Sequence, residues 1–275
     1  MIRSNKQYGL SLAGIIVLAA VVLAWPGTGH ADDPKAREIM EKVDARDDGD
    51  MMTSDLEMVL IDKDGYERVR KIKSFSKDKG EDTLKLMFFL EPADVEDTAF
   101  LTYDYDDPER DDDQWLYLPA LKKTKRIASS DKDNAFMGSD FSYADMTKRE
   151  LDNYDYKLLK ETDVDGHKTW LIESVPKTQR IVDMYGYTKS VFFVRQDIYF
   201  PIRGVSWVKE GGKLKYMEVK TLKQIDGIWT ATEMQMTTKK NKQTEHSTIM
   251  RFNNVKYNQD LSEDMFTVRR MEKGL

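Results

Sequence analysis

Residues 53–60 read Thr-Ser-Asp-Leu-Glu-Met-Val-Leu, a stretch in which apolar and polar side chains alternate. Successive side chains of a strand point to opposite faces, so Leu56, Met58 and Leu60 would share one face. The following residues, Asp-Lys-Asp-Gly at 62–65, are typical of a tight turn. The stretch therefore predicts the first arm of an antiparallel hairpin with one apolar face.

The same pattern recurs along the chain. Turns are predicted at Asp165-Gly166, Gly211-Gly212 and Asp226-Gly227. Further strands are predicted at residues 66–75, 84–90, 115–118, 122–128, 156–160, 169–174, 190–195, 202–209, 213–223, 229–238 and 246–257. Hairpin signals at this spacing predict a mainly β protein with an antiparallel meander or barrel.

Two regions depart from the strand pattern. Asp33-Pro34 predicts a helix start, and apolar residues at helical spacing follow until the helix ends near residues 47–49. Residues 129–151 are polar, carry isolated large apolar side chains and lack alternation, which predicts a loop with one or two short helices.

The N-terminus has the order of a secretory signal. Residues 1–8 carry two bases and no acid, residues 9–25 are mostly apolar, and Gly29-His30-Ala31 offers small residues for a signal peptidase. We expect a signal peptide over 1–31, cleaved after Ala31, and a single domain over 32–275 in the periplasm. The alternative is an uncleaved anchor, although a run of about 17 residues is short for a bilayer.

Composition excludes several classes of function. Removing residues 1–31 leaves 41 basic and 49 acidic residues, a net charge of −8, which disfavours a nucleic-acid partner. The chain has no cysteine, which excludes disulfides, thiol catalysis, a cysteine-ligated zinc site and an N-terminal lipid anchor.

No catalytic, metal or cofactor site is predicted. His246 could belong to a Ser-His-Asp triad, but no nucleophile motif accompanies it. The acidic residues 104–113 fail the EF-hand pattern, because the sixth position is Glu109 and the twelfth is Trp115. A solvated hairpin loop is the interpretation favoured for this stretch.

Three stretches resemble the LolA-like family of outer-membrane lipoprotein-sorting proteins. They are Trp-Leu-Tyr-Leu-Pro-Ala-Leu-Lys-Lys-Thr-Lys-Arg-Ile at 115–127, Phe-Met-Gly-Ser-Asp-Phe-Ser-Tyr-Ala-Asp at 136–145, and the region from Gly212 to Thr267. The resemblance implies a half-open antiparallel β-barrel whose apolar concave face is covered by helices. It also implies a carrier of lipid or lipoprotein acyl chains, with an RND-type inner-membrane exporter and an outer-membrane acceptor as partners.

A carrier needs an apolar cavity, because exposing a sixteen-carbon chain to water costs about 12 kcal/mol of free energy. Candidate lining residues come from alternate strand positions, and an error of one residue would reverse the face. The candidates are Leu56, Met58, Leu60, Leu86, Phe88, Trp115, Tyr117, Trp170, Ile172, Met234 and Met236. Phe136, Met137 and Phe141 are candidates for a mobile lid, or alternatively fill a closed core.

Two other functions compete with a carrier. One is a periplasmic adaptor of an RND-type exporter without its own cargo, suggested by the basic strand 122–126 beside acidic loops. The other is a lipid hydrolase, which would require a nucleophile and a base that the sequence does not reveal.

Overall fold

The structure is a computed structural model that describes residues 32–275, so the predicted signal peptide lies outside the described residues. The helices are α1 (Pro34–Asp44), α2 (Gln179–Tyr185) and α3 (Val268–Lys273). The strands are β1 (Met51–Asp62), β2 (Glu67–Lys79), β3 (Asp82–Glu91), β4 (Ala99–Asp104), β5 (Asp113–Leu118), β6 (Lys123–Arg126), β7 (Tyr154–Val164), β8 (His167–Pro176), β9 (Tyr187–Arg195), β10 (Phe200–Val208), β11 (Lys213–Ile225), β12 (Ile228–Lys240) and β13 (Gln243–Tyr257). The predicted mainly β class is confirmed.

All thirteen strands form one antiparallel sheet in the order β6-β5-β4-β3-β2-β1-β13-β12-β11-β10-β9-β8-β7. Two meanders are joined where β1 pairs with β13. The edges β6 and β7 are not paired with each other, so the sheet is a half-open barrel, as the resemblance implied. The chain must therefore pass from one edge of the sheet to the other between residues 127 and 153.

That connection crosses one face of the sheet and bends the sheet around itself. Gln114 on β5 donates to the Tyr143 carbonyl (2.8 Å), and the Tyr187 hydroxyl on β9 donates to Asp145 (2.8 Å). The two strands are nine positions apart in the sheet, or about 43 Å if it were flat. Tyr143 and Asp145 are only two residues apart, within about 7 Å. The sheet must therefore curve around residues 129–151, which we call the covering segment.

The covering segment consists of short 3₁₀ turns and irregular chain rather than α-helices. Its turns, with the one that follows it, are Ser129–Asp131, Phe136–Gly138, Ala144–Met146 and Leu151–Asn153. The expected helical cover of the sheet is therefore supplied by α1 together with a largely irregular segment. The prediction of a loop with short helices over residues 129–151 is confirmed.

Helix α1 begins as its sequence predicts and lies against the β7 edge. The Asp33 carboxylate accepts from the Lys35 amide (2.9 Å), and Pro34 occupies the first turn. Asp32 and Asp33 also accept from the amides of Tyr156 (2.8 Å) and Leu158 (3.2 Å) on β7. These bonds satisfy exposed amides of an edge strand, which would otherwise be free to pair with another chain. The helix ends at Asp44, slightly earlier than predicted.

The opposite face of the sheet is covered by the C-terminus. Leu261, Phe266 and Met271 pack with Phe75 and Leu101. Neither α3 nor strand β4 was predicted. Strand β4 has apolar side chains on both faces and so shows no alternation. Among residues 32–275, no helix is long and apolar enough to cross a bilayer.

Phe136→Ala is expected to lower the free energy of unfolding by about 3–5 kcal/mol, because Phe136 is wholly buried between sheet and covering segment. Urea unfolding would measure the change. Leu121→Ala is the matched control, since Leu121 is 63% exposed and its truncation should cost less than about 0.5 kcal/mol. Equal effects of the two substitutions would contradict the packing described.

Candidate functional site

The face of the sheet beneath the covering segment, here called the inner face, carries Leu56, Met58 and Leu60 of β1. Cross-strand pairs extend it in rows. Met58 lies opposite Met250, which lies opposite Met234, which lies opposite Val219. A parallel row runs through Ile172, Phe192, Gly204, Met217 and Met236. These two rows of the inner face are therefore apolar, and together they extend across both meanders.

The covering segment closes the part of the inner face that belongs to β1–β5. Phe136 is fully buried, and its ring centre lies 4.9 Å from that of Phe100 and 5.6 Å from that of Tyr143. Leu56, Met58 and Leu60 are at most 2% exposed beneath this cluster. This half of the inner face is thus a filled core, with Met137 packed at its margin.

Polar contacts fasten the covering segment to the sheet. The buried Asp140 carboxylate accepts from the hydroxyls of Thr238 (2.5 Å) and Thr248 (2.8 Å) and lies 2.6 Å from His246 Nδ1. Arg70 donates to the Met137 carbonyl. Both threonine hydroxyls are directed at the carboxylate, so neither hydroxyl is arranged as a nucleophile for His246. The cluster accounts for His246 as a structural group.

The acidic connection between β4 and β5 has a similar structural role. Asp104 is 4% exposed and accepts from Lys85 Nζ (2.6 Å) and from the Lys148 amide (3.0 Å). Asp112 faces the buried Lys132 ammonium at 3.5 Å, and burial raises the pKa of Asp112. The interpretation of a fully solvated loop is therefore wrong for these two carboxylates, which hold the covering segment. Within residues 32–275, no group of three acidic or histidine side chains is arranged to hold a metal ion.

The other half of the inner face is not filled. A cavity of about 360 Å³ lies between α1, the end of the covering segment and strands β7–β12. This volume is in the range of small-molecule sites. Its apolar lining comprises Met40, Phe141, Leu151, Phe192, Phe200, Pro201, Gly204, Met217, Val219, Met234 and Met236. Its polar lining comprises Asp44, Asp145, Lys148, Arg149, Tyr156, Ser174, Tyr187 and Ser206.

The structure brings some predicted lining residues to this cavity. Met234, Met236 and Phe141 line it directly. Trp170 and Ile172 lie on the same face of β8, packed in the cluster that includes Phe192 and α1. Phe141 thus borders the cavity, whereas Phe136 is confined to the filled half.

Four predicted lining residues lie on the opposite face of the sheet. Leu86, Phe88, Trp115 and Tyr117 pack with the C-terminal segment, in the cluster formed by Phe266 and its neighbours. Their strand neighbours Met87, Phe89, Leu116 and Leu118 occupy the inner face instead. Strands β3 and β5 are apolar on both faces, because the C-terminus covers the outer one, so alternation could not select the face.

Sequence reasoning missed several cavity residues. Gly204 leaves space in the floor, since a Cβ there would lie 3.1 Å from the Phe192 ring. Met217 could have been found from the hairpin around Gly227, which places it opposite the predicted lining residue Met236. Arg149 gave no signal, because Lys-Arg-Glu at 148–150 reads as a solvated turn.

Glu150, next to Arg149, makes stability depend on pH. Its Oε1 atom is buried without a hydrogen-bond partner among the described residues, and burial raises the pKa of Glu150 to about 7. The folded state therefore binds this proton more tightly than the unfolded chain, whose carboxyl has an ordinary pKa of about 4.5. The stabilising contribution is complete below pH 4.5 and is lost as pH rises towards 7.

Glu150→Gln should remove this loss, because the amide does not ionise. Urea unfolding at pH 5 and pH 8 would show a smaller fall in the free energy of unfolding for the variant than for the parent. Glu161→Gln, at an exposed position of β7, is the control and should leave the pH dependence unchanged. The same pH dependence in Glu150→Gln and the parent would show that Glu150 is not the titrating group.

Comparison with known proteins places this fold in a recognised class. A sequence family whose description reads "Uncharacterized protein" matches residues 81–273. No protein of curated function matches the sequence significantly. Among solved structures, a domain from Vibrio parahaemolyticus described as an outer membrane lipoprotein-sorting protein is 32% identical, with a TM-score of 0.78 over 86% of this chain and 98% of that one.

Two further structures have the same architecture. A DUF1329 family protein from Desulfovibrio piger is 30% identical, with a TM-score of 0.80 over 88% of this chain and 99% of that one. A LolA superfamily protein from Nitrosomonas europaea is 18% identical, with a TM-score of 0.64 over 85% and 98% of the chains, and shows the fold alone. The half-open sheet is thus that of the LolA class. The chain belongs to the LolA-like family of outer-membrane lipoprotein-sorting proteins.

Proposed function

We propose that the protein is a periplasmic carrier that binds acyl chains of lipids or lipoproteins in the inner-face cavity and moves them between the inner and outer membranes. The observation that carries this proposal is an apolar cavity of about 360 Å³ on the inner face, between α1 and the end of the covering segment. The protein acts by binding, without catalysis.

The difference in burial along a single row supports a cavity made for a ligand. Met58 on β1 is fully buried beneath the covering segment, whereas Met234, in the same row, is half-buried at the cavity. Each methylene transferred from water contributes about 0.8 kcal/mol to the free energy of binding. An acyl chain therefore binds most favourably against the apolar surface of the inner face that the protein leaves uncovered. Methionine side chains are flexible enough to adapt to hydrocarbon chains of different length.

A longer acyl chain requires a larger cavity than the one observed. Phe141 borders the cavity and Leu151 lies in its wall, so displacement of these two side chains would enlarge it. Phe136 is held among Phe89, Phe100 and Tyr143 and would remain in place. We therefore assign the role of a movable lid to the end of the covering segment rather than to its centre.

The sequence and the relatives together support a periplasmic setting. The predicted signal peptide directs residues 32–275 to the periplasm, as a single carrier domain, and the description of the Vibrio relative refers to outer-membrane lipoprotein sorting. The family resemblance supports an RND-type inner-membrane exporter as donor and an outer-membrane acceptor.

Met217→Asp should empty the cavity, because it places a carboxylate among methionine and phenylalanine side chains. Protein purified gently from a membrane-containing host would be extracted with organic solvent and its lipid measured by mass spectrometry. We expect about one lipid per protein for the parent and a loss of at least ten-fold for the variant.

Tyr216→Asp is the matched control, since Tyr216 neighbours Met217 on β11 but points to the outer face, where Lys239 lies over its ring. It should retain the lipid. Equal lipid loss in both variants would contradict the assigned cavity. A parent protein free of lipid that still binds an RND-type exporter would favour the adaptor function, for which the exposed edge strand β6 offers Lys123 and Lys125.

A further inference from the structure

We propose that the ligand of this cavity is an amphiphile whose hydrocarbon chain carries an oxyanion, a carboxylate or a phosphate, and that Arg149 pairs with that oxyanion. This inference rests on the proposed function, because it assigns a ligand class to the same cavity.

The cavity has a polar end and an apolar end. A row of polar side chains crosses the inner face from Tyr156 through Ser174, Ser190 and Ser206 to Lys215, each opposite the next on neighbouring strands. The adjacent row is apolar, with Phe192, Gly204 and Met217. The inner face therefore changes from polar to apolar between two adjacent rows, which are two residues apart along each strand. A molecule with a polar head and a hydrocarbon tail requires this arrangement.

Arg149 lies at the polar end in a ring of aromatic side chains. Its guanidinium carbon is 5.2–5.9 Å from the ring centres of Tyr154, Tyr185, Tyr187 and Phe192. Its side chain is three-quarters buried, yet its one hydrogen bond within residues 32–275, to the Ser190 hydroxyl, is 3.3 Å long. A guanidinium has five N–H donors, so most of its capacity is not used by strong protein acceptors.

The charges around Arg149 do not balance. Asp145 lies 3.9 Å from Arg149 and 4.0 Å from Lys215, so one carboxylate serves two cations at distances too long for hydrogen bonds. Asp145 already accepts from the Ser142 amide (2.8 Å) and the Tyr187 hydroxyl (2.8 Å). The other cation of the cavity wall, Lys148, is paired with Asp44 (3.0 Å) and Asp106 (3.3 Å). Among the described residues of the wall, Arg149 is therefore the cation that lacks a carboxylate of its own.

An oxyanion on the ligand would supply that missing charge. Planar guanidinium groups bind carboxylates and phosphates through two parallel N–H···O bonds. The interaction is strengthened in a cavity lined by apolar side chains, where the effective dielectric constant is low. A neutral lipid would bury the same apolar surface but would leave the guanidinium without a strong acceptor.

The test compares cis-parinaric acid, a fluorescent eighteen-carbon acid, with its methyl ester, which has the same chain and no charge. Fluorescence titration at pH 8 should give a Kd at least ten-fold lower for the acid with the parent protein. Arg149→Met should weaken acid binding at least ten-fold and leave ester binding unchanged. The affinity of Arg149→Lys for the acid should lie between those of the parent and Arg149→Met, because lysine keeps the charge but loses the planar fork of N–H donors.

Arg203→Met is the matched control: it removes an arginine charge from another site, where Arg203 pairs with Asp165 and Glu218, and should not alter the acid-to-ester ratio. Displacement of bound parinaric acid by palmitate and by monohexadecyl phosphate, but not by inorganic phosphate, would show that chain and oxyanion are recognised together. Effective displacement by inorganic phosphate alone would overturn the inference.

Two outcomes separate this inference from the proposed function. Equal affinity of the parent for acid and ester, or an equal loss of both in Arg149→Met, would overturn the role of Arg149 while leaving a carrier of apolar chains. Failure of the parent to bind either probe would overturn the proposed function and the inference with it. The comparison on the parent needs no variant, so a folding defect in Arg149→Met cannot obscure it.

Discussion

The chain must travel from β6 at one edge of the sheet to β7 at the other, and the rest of the structure depends on that crossing. The connecting residues pass over the inner face, and the sheet bends around them. The crossing fills the half of the inner face that β1–β5 provide, with Phe136 at its centre. The half formed by β7–β12 is left with a cavity between the segment and α1. The same connection that closes one half of the barrel therefore creates the wall of the other.

Charge and hydrogen bonding, together with the packing of Phe136, determine where the covering segment lies. Asp140 receives two threonine hydroxyls and contacts His246, while Asp104 and Asp112 pair with lysines from β3 and the segment. Buried carboxylates of this kind are costly unless they are fully paired, so they specify one position for the segment. With the backbone held by such bonds, the Phe141 and Leu151 side chains at the cavity can move without loss of the core beneath Phe136. This division suits a protein that must remain folded while its ligand enters and leaves.

Much of the fold could be predicted from the sequence, because the β1 strand and the later hairpins alternate cleanly and their turns carry Gly or Asp-Gly. The inner-face positions of Met58, Met234 and Met236 follow from that alternation. The orientation of β3 and β5 could not be predicted, since Leu86-Met87-Phe88-Phe89 is apolar on both sides and only the C-terminal cover reveals why. The role of Arg149 was equally hidden, because its environment is assembled from tyrosines of β7, α2 and β9 that are distant in sequence.

The central claim is that the open half of the inner face holds a hydrocarbon chain. Its most direct test is NMR of protein with ¹³C-labelled methionine methyl groups, loaded with a long-chain fatty acid. We expect intermolecular NOEs from the acyl chain to the methyl groups of Met217 and Met234 in the cavity, and none to Met265 under the outer face. NOEs to Met265 alone, or none to Met217 and Met234 when the protein is saturated, would contradict the account.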